Sequence, residues 1–307
     1  MATKQNLVGL LTHTIAMKGT DLHICPGASP FIRVNGKLER MDIEPLSSHD
    51  IKGFLDDTFM LDVEKKKKIH TENSIAYSFS ISGIGRFRAC VYTQRGTTAA
   101  TIRILPYAVP SLEELGYGEE HNKIIMSFAI YEKGLFFVAG HTGSGKSTTL
   151  AAIVNHINAS DSKHITTVEN PIEYLHMHKN SIVTQKEVRS DITDTETAIQ
   201  WAITQNADVI IIDDLEKTEK SMMIAVAAAE EKLVFACLKT TSVIENVREY
   251  FDDILHSGDS QKMNRLSNAL EGVIYQRFEG GRFTSQITTS PLKDGMTKRR
   301  VASNESY

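Results

Sequence analysis

Gly140-His141-Thr142-Gly143-Ser144-Gly145-Lys146-Ser147 stands inside the run GLFFVAGHTGSGKSTTLAAIVNHI, residues 134–157. It fits G-x-x-x-x-G-K-[ST], and its flanks decide what the match means. Leu135 to Ala139 form an apolar run of strand length, and Lys146 to Ile157 read as a helix. Strand, glycine-rich loop and helix in that order predict a phosphate-binding loop. Glycines let the backbone fold back so that N–H groups converge on phosphate oxygens, and the helix turns its positive end toward the anion. The expected nucleotide contacts are Gly140, Thr142, Gly143, Ser144, Gly145, Lys146, Ser147 and Thr148. Lys146 is placed to reach the β- and γ-phosphates of ATP, and Ser147 to offer its hydroxyl to Mg²⁺.

Composition sets the frame around this loop. A chain of 307 residues has room for about two domains, each with its own core. Its 41% hydrophobic and 23% charged residues are those of an ordinary globular protein. The net charge of −4 gives no bulk electrostatic case for nucleic acid, and no nucleic-acid partner is expected. Cys25, Cys90 and Cys237 are widely spaced and form no C-x-x-C pair, which argues against a disulfide framework or zinc site and for a reducing cytoplasm. No apolar stretch approaches the ~20 residues of a membrane helix. The start reads as an amphipathic helix carrying Leu7, Leu10, Leu11, Thr14 and Ile15 rather than as a signal peptide.

Two regions follow from the pattern, and the fold class expected is α/β. Residues 1–105 read as an α+β domain: short strands Asp21 to Cys25 and Phe31 to Val34, the hairpin signal Asn35-Gly36, and a return through Lys37 to Arg40. Helices are expected from Ser48 to Phe59 and from Asp62 to His70, with Lys65 to Lys68 on a solvated face. Antiparallel strands follow at Tyr77 to Ile81, Arg86 to Tyr92 and Thr97 to Leu105. Pro106, Pro110 and Gly116 mark a linker over 106–118. From 119 to 290 strands alternate with helices, the mark of a parallel sheet with the phosphate loop at a strand's carboxyl end. Residues 291–307 read as a disordered tail.

Two acidic segments stand downstream of the loop. In ADVIIIDDLEK four apolar residues lead into Asp213-Asp214, a strand ending in carboxylates where Mg²⁺ and an attacking water need them. Asp213 is the expected metal ligand beside Ser147, and Asp214 an expected catalytic carboxylate. In ITTVENPIEYLH, Glu169 closes an apolar run before Asn170-Pro171 breaks it; the segment reads equally as a plain strand-to-turn transition or as the second catalytic carboxylate, Glu169.

The ordered segments GHTGSGKSTT, TVENPIEYLHMHKNSIVTQKEV, ADVIIIDD and KLVFACLKTTS, together with GTDLHICPGASPFIRVNGKLERM and GIGRFRACVYTQRGTTAATIRILP, resemble the PilT/PilU branch of the type IV pilus and type II secretion traffic ATPases. The resemblance runs over roughly residues 5–290. It implies an amino-terminal PAS-like α+β domain followed by a RecA-like P-loop NTPase domain, and a cytoplasmic hexameric ring associated with the inner-membrane pilus machine. It also implies force delivered to a platform protein of that membrane, driving pilus retraction and twitching motility. Arg88, Arg95 and Arg103 fall where the family's first-domain arginines reach the nucleotide. A guanidinium there would neutralise charge growing on the γ-phosphate.

The chain departs from the family at several of these positions. The family's T-I-E-D-P-I-E is Thr167-Val168-Glu169-Asn170-Pro171-Ile172-Glu173, and its Gly-Glu after the second acidic strand is Asp213-Asp214. An aspartate is shorter than a glutamate by one C–C bond, about 1.5 Å, and a misplacement of ~1 Å can cost on the order of 10²-fold in rate. Both histidines of the family's histidine box are lysines, Lys232 and Lys239. Each reads either as a retained positive charge at the phosphates or as a solvated end of a helix or strand. Two functions therefore stand: an ATPase that powers pilus retraction, or a hydrolysis-poor subunit that binds ATP and assembles with an active paralogue.

Overall fold

The structure, a computed structural model, describes residues 6–57, 71–105, 108–240, 251, 260–279, 282–289 and 304–305. The chain divides into two units, Met1–Tyr107 and Ala108–Tyr307.

In the first unit α1 (Leu7–Ala16) starts where the Asn6 side chain accepts from the Gly9 N–H at 2.8 Å. It buries Leu7, Leu10, Leu11 and Thr14, one helical face. Strands β1 (Asp21–Ile24), β2 (Phe31–Val34) and β3 (Lys37–Arg40) precede α2 (Ser48–Asp57). β4 (Ser74–Ile81), β5 (Gly85–Gln94) and β6 (Thr97–Ile104) complete an antiparallel sheet in the order β3-β2-β1-β6-β5-β4. Leu22, Phe87, Ala89, Val91 and Ile102 face the helices from alternate strand positions and form the core with Leu7, Leu11 and Ile51. The expected helix over 62–70 and the lysine run within it lie outside the described residues.

The second unit holds the sheet that positions the phosphate loop. Its strands are β7 (Gly134–Gly140), β8 (His164–Glu169), β9 (Ile182–Glu187), β10 (Val209–Ile212), β11 (Leu233–Lys239), β12 (Leu270–Glu279), β13 (Arg282–Thr289) and β14 (Asn304–Glu305). They lie in the order β14-β13-β12-β7-β11-β10-β8-β9. From β12 to β9 every neighbour is parallel, whereas β13 and β14 run antiparallel. All seven residues of β7 are buried because helices cover both faces. Leu135, Phe137 and Ala139 pack with residues of α5 (Thr195–Thr204), α6 (Glu219–Ala229) and α7 (Ser260–Ala269). Phe136 and Val138 pack on the opposite side with residues of α3 (Glu119–Phe128) and α4 (Lys146–Ser160).

The sheet is larger than the sequence pattern foretells. The sequence predicts strands at Leu135 to Ala139, Ile165 to Glu169, Val209 to Ile212 and Leu233 to Leu238, to which β9, β12 and β13 are additions: β9 carries Thr184, Gln185 and Lys186 at the sheet edge, and β12 carries Glu271, Gln276 and Arg277 among its apolar residues. Neither has the unbroken apolar signature of an inner parallel strand. Of residues 291–307 only Asn304 and Glu305 are described, and they pair with Ser285 and Thr284.

Phe136 is fully buried and stacks between Phe128, at 4.5 Å between ring centroids, and Phe235, at 5.1 Å. Replacing it by alanine is expected to cost about 3–5 kcal/mol in urea unfolding. The exposed Leu38→Ala is expected to stay within about 0.5 kcal/mol. A Phe136→Ala loss below about 1 kcal/mol would contradict this account of the core.

Candidate functional site

β7 ends at Gly140 deep in the sheet, and the chain must turn at once toward α4. Gly140 lies so close to the neighbouring strand that a side chain there would meet the Gln276 carbonyl, and the Ser144 Oγ at 2.6 Å. Gly145 precedes α4 at φ 87°, a left-handed conformation that glycine adopts without penalty. Together they allow a tight loop at the start of a 15-residue helix.

The loop opens on a cleft of about 350 Å³ lined by Thr142, Gly143, Gly145, Lys146, Ser147, Thr148, Asn170, Glu173, Asp213, Asp214 and Lys239. The Lys146 ammonium, nearly buried, donates to the carbonyls of Gly140 at 3.0 Å and His141 at 2.7 Å. Burial holds its pKa below the ordinary lysine value, partly offset by the acidic groups facing it. Its carbonyl partners are neutral, so a phosphate oxygen is a stronger acceptor for the same donors.

Two carboxylates arrive from β10. Asp213 is hydrogen-bonded to Ser147 and lies 3.8 Å from the buried Cys237 Sγ. Burial is the main cause that pushes its pKa up to about 6, with Glu173 and Asp214 adding like charge. Burial likewise raises the Cys237 thiol, which stays neutral. Asp214 lines the same cleft, where Lys239, at the end of β11, holds its Oδ1 and Oδ2 at 2.8 Å each. The lysine and aspartate side chains are 59% and 33% exposed, so the pair is held loosely enough for another anion to displace it.

Glu169 ends β8 behind this cleft rather than on its wall. It lines a void of about 10 Å³ with Ser147, Thr167, Tyr174, His176 and Asp213. Its Oε1 accepts from Thr167 Oγ1 at 2.6 Å and from Gln185 Nε2 at 2.9 Å. Burial lifts its pKa to about 7, with the Asp213 charge adding to the rise. Burial also pushes His176 down to about 4, so that imidazole is neutral at physiological pH.

The second unit thus brings together the expected loop residues, Asp213 and Asp214, and sets Glu169 one layer deeper. Arg88, Arg95 and Arg103 belong to the first unit. Arg88 pairs across β5 and β6 with Arg103, whose Nε lies 3.1 Å from Asp21 Oδ1. Arg95 is exposed in the β5–β6 turn at φ 49°. Lys232, in the turn between α6 and β11, bonds Asn206 at 2.8 Å and does not line the cleft, whereas Lys239 does. Sequence reasoning missed Gln185 and Gln276. The signal available for Gln276 was one amide inside the apolar run of β12, a weak one.

Ser147 and Asp213 offer only oxygen ligands and no cluster of three metal-binding side chains occurs among the described residues. That donor set fits Mg²⁺, which takes one or two protein oxygens and completes its shell from phosphates and water.

Residues 65–281 match the family model described as type II/IV secretion system protein. The type IV pilus retractation ATPase PilT of Pseudomonas aeruginosa is 30% identical over 97% of this chain and 87% of its own length. The type IV pilus ATPase PilU of the same organism is 33% identical over 95% of this chain and 72% of its own. Among solved structures, the pilus retraction motor PilT with bound ADP superposes with a TM-score of 0.82 at 31% identity, covering 93% of this chain and 83% of that one. The Legionella pneumophila ATPase DotB shares the fold at 20% identity, TM-score 0.75, over 92% and 79% of the two chains. With its phosphate loop at the end of a buried central strand and its carboxylates on the adjoining β10, the chain belongs to the type II/IV secretion system protein family, among the PilT- and PilU-like pilus ATPases.

Proposed function

We propose that this chain is an ATP-hydrolysing motor subunit of a type IV pilus machine, working as a cytoplasmic hexamer at the inner membrane to drive pilus retraction through the platform protein. The observation that carries the reading is Lys146, Ser147 and Asp213 converging on one cleft at the start of α4. The named activities of the PilT and PilU relatives and the ADP-bound PilT structure support it. Among the described residues no helix is long and apolar enough to cross a membrane.

In this reading the triphosphate lies along the loop. Amides from Thr142 to Thr148 donate to its oxygens, and Lys146 exchanges the Gly140 and His141 carbonyls for phosphate. Ser147 and Asp213 would hold Mg²⁺, which would supply positive charge to the triphosphate. Asp213 ionises to do so, since a cation beside it reverses the effect of burial. Asp214, on the cleft wall, orients the attacking water. Glu169 acts from behind, positioning Asp213 across the small void. Lys239 turns from Asp214 toward the γ-phosphate, and Arg88, Arg95 and Arg103 supply further positive charge during the reaction.

A second reading, an ATP-binding accessory subunit with little turnover that assembles with an active paralogue, is favoured by one observation: both oxygens of Asp214 are taken by Lys239. Steady-state phosphate release by the purified protein separates the two. The motor reading expects Lys146→Ala to fall to background and Asp214→Asn to fall on the order of 10²-fold. Wild-type release equal to that of Lys146→Ala, with ATP still bound, would leave the accessory reading.

Glu169 generates a prediction about stability. An acid whose pKa rises from 4.5 to about 7 on folding stabilises the fold below pH 4.5 and loses that contribution as pH climbs to 7. His176, lowered to about 4, contributes with the opposite sign over pH 4 to 6.5. Glu169→Gln keeps an acceptor for Thr167 and Gln185 but cannot ionise. The nucleotide-free variant is therefore expected to gain stability relative to wild type between pH 5 and pH 8 in urea unfolding. An unchanged difference at the two pH values would remove Glu169 as a buried titrating group.

A further inference from the structure

Gln276 is almost completely buried on β12 and does not line the cleft, yet it touches the phosphate loop at three residues. Its Nε2 donates to the Ser144 carbonyl at 2.6 Å. Its own carbonyl is what a side chain at Gly140 would strike, and a side chain at Gly145 would come within 3.3 Å of Nε2. A carbonyl can only accept, so the Ser144 contact fixes which end of the amide faces the loop. The Oε1 end then accepts from Tyr117 Oη at 2.6 Å and from Thr149 Oγ1 at 2.9 Å. Every bond here is made out of reach of water, where losing one partner strands the other.

The far side of this amide connects to a different part of the chain. Thr149 lies in the first turn of α4, the helix that the loop feeds. Tyr117 lies between the start of the second unit at Ala108 and α3, in the stretch that joins the units along the chain. It is fully buried, packs edge-on against Phe283 of β13 at 4.9 Å, and its hydroxyl lies 2.8 Å from Thr149 Oγ1. Burial raises its phenol pKa, so the hydroxyl remains a donor at any working pH.

We propose that Gln276 is a positioning residue for the phosphate loop, aiming its amides by gripping the Ser144 carbonyl, and that Tyr117 ties this grip to residues 108–118, so that nucleotide binding and the ordering of that connecting segment are coupled. The proposal rests on the reading of the cleft as a nucleotide site. When phosphate fills the loop, Ser144 is held from both sides. Gln276 is then less free to move, and Tyr117 with it. Through this amide, occupancy of the site reaches the segment that leads to the other unit without any contact between that segment and the nucleotide.

The test uses the full chain, Mg²⁺ and a fluorescent ADP analogue. Binding by wild type establishes the site independently of the proposal, and absence of binding would instead overturn the nucleotide reading itself. Gln276→Met, of similar volume but without donor or acceptor, is expected to weaken binding about tenfold. Gln276→Glu keeps the acceptor toward Tyr117 and Thr149 and can donate to Ser144 only when protonated. Its affinity relative to wild type at the same pH is therefore expected to recover as pH falls, which a merely structural role would not produce. Hydrogen exchange of residues 108–118 is expected to slow on adding ADP to wild type and to remain unchanged in Tyr117→Phe. Binding by folded Gln276→Met within twofold of wild type, a Gln276→Glu ratio flat with pH, or equal exchange effects in wild type and Tyr117→Phe would each overturn the proposal.

Discussion

The close approach of Gly140 to the Gln276 carbonyl is the constraint on which the rest of the second unit depends. Only a residue without a side chain lets β7 run to its end against β12 and still turn into α4. Because β7 is buried on both faces, the turn is delivered to a fixed place by the packing of Phe136, Phe137 and their neighbours rather than by the loop's own preferences. The rigid sheet supplies precision, and the loop's glycines supply the shape.

The same burial explains the chemistry of the acids. Asp213 and Glu169 end adjacent parallel strands, β10 and β8, so both carboxylates sit at the carboxyl edge of the sheet beside Ser147. Low polarity around them raises both pKa values. Asp214, one residue on, is partly exposed on the cleft wall and pairs with Lys239 instead. The two positions at which the resemblance leads one to expect a glutamate and a histidine, Asp214 and Lys239, thereby meet in one ion pair. Neither residue by itself indicates this, because β10 and β11 bring the two together only when their registers align Ile212 with Ala236.

Much of the site was legible in the residue order. A phosphate loop is local, its strand, turn and helix lying within 24 residues, and an apolar run ending in two acids is local as well. The β9, β12 and β13 strands were not legible, since polar residues such as Gln185 and Gln276 break their apolar pattern. Those same polar residues matter at the site: Gln185 holds Glu169, and Gln276 holds the loop. A side chain that serves a buried network weakens the hydrophobic signal by which its strand would be recognised.

By itself the sequence determined an α/β chain, a G-x-x-x-x-G-K-[ST] loop between a strand and a helix, and the order of the acidic segments that follow it. Those properties depend on spacing along the chain and on the chemistry of single residues. Only the tertiary structure decided that Glu169 stands behind the cleft, that Lys239 and Asp214 pair, and that Gln276 and Tyr117 brace the loop. Gln276 is 132 residues from Ser144 and 159 from Tyr117. Partners so distant are chosen by which strands lie side by side, and strand order is settled by covering both faces of β7 rather than by any local pattern.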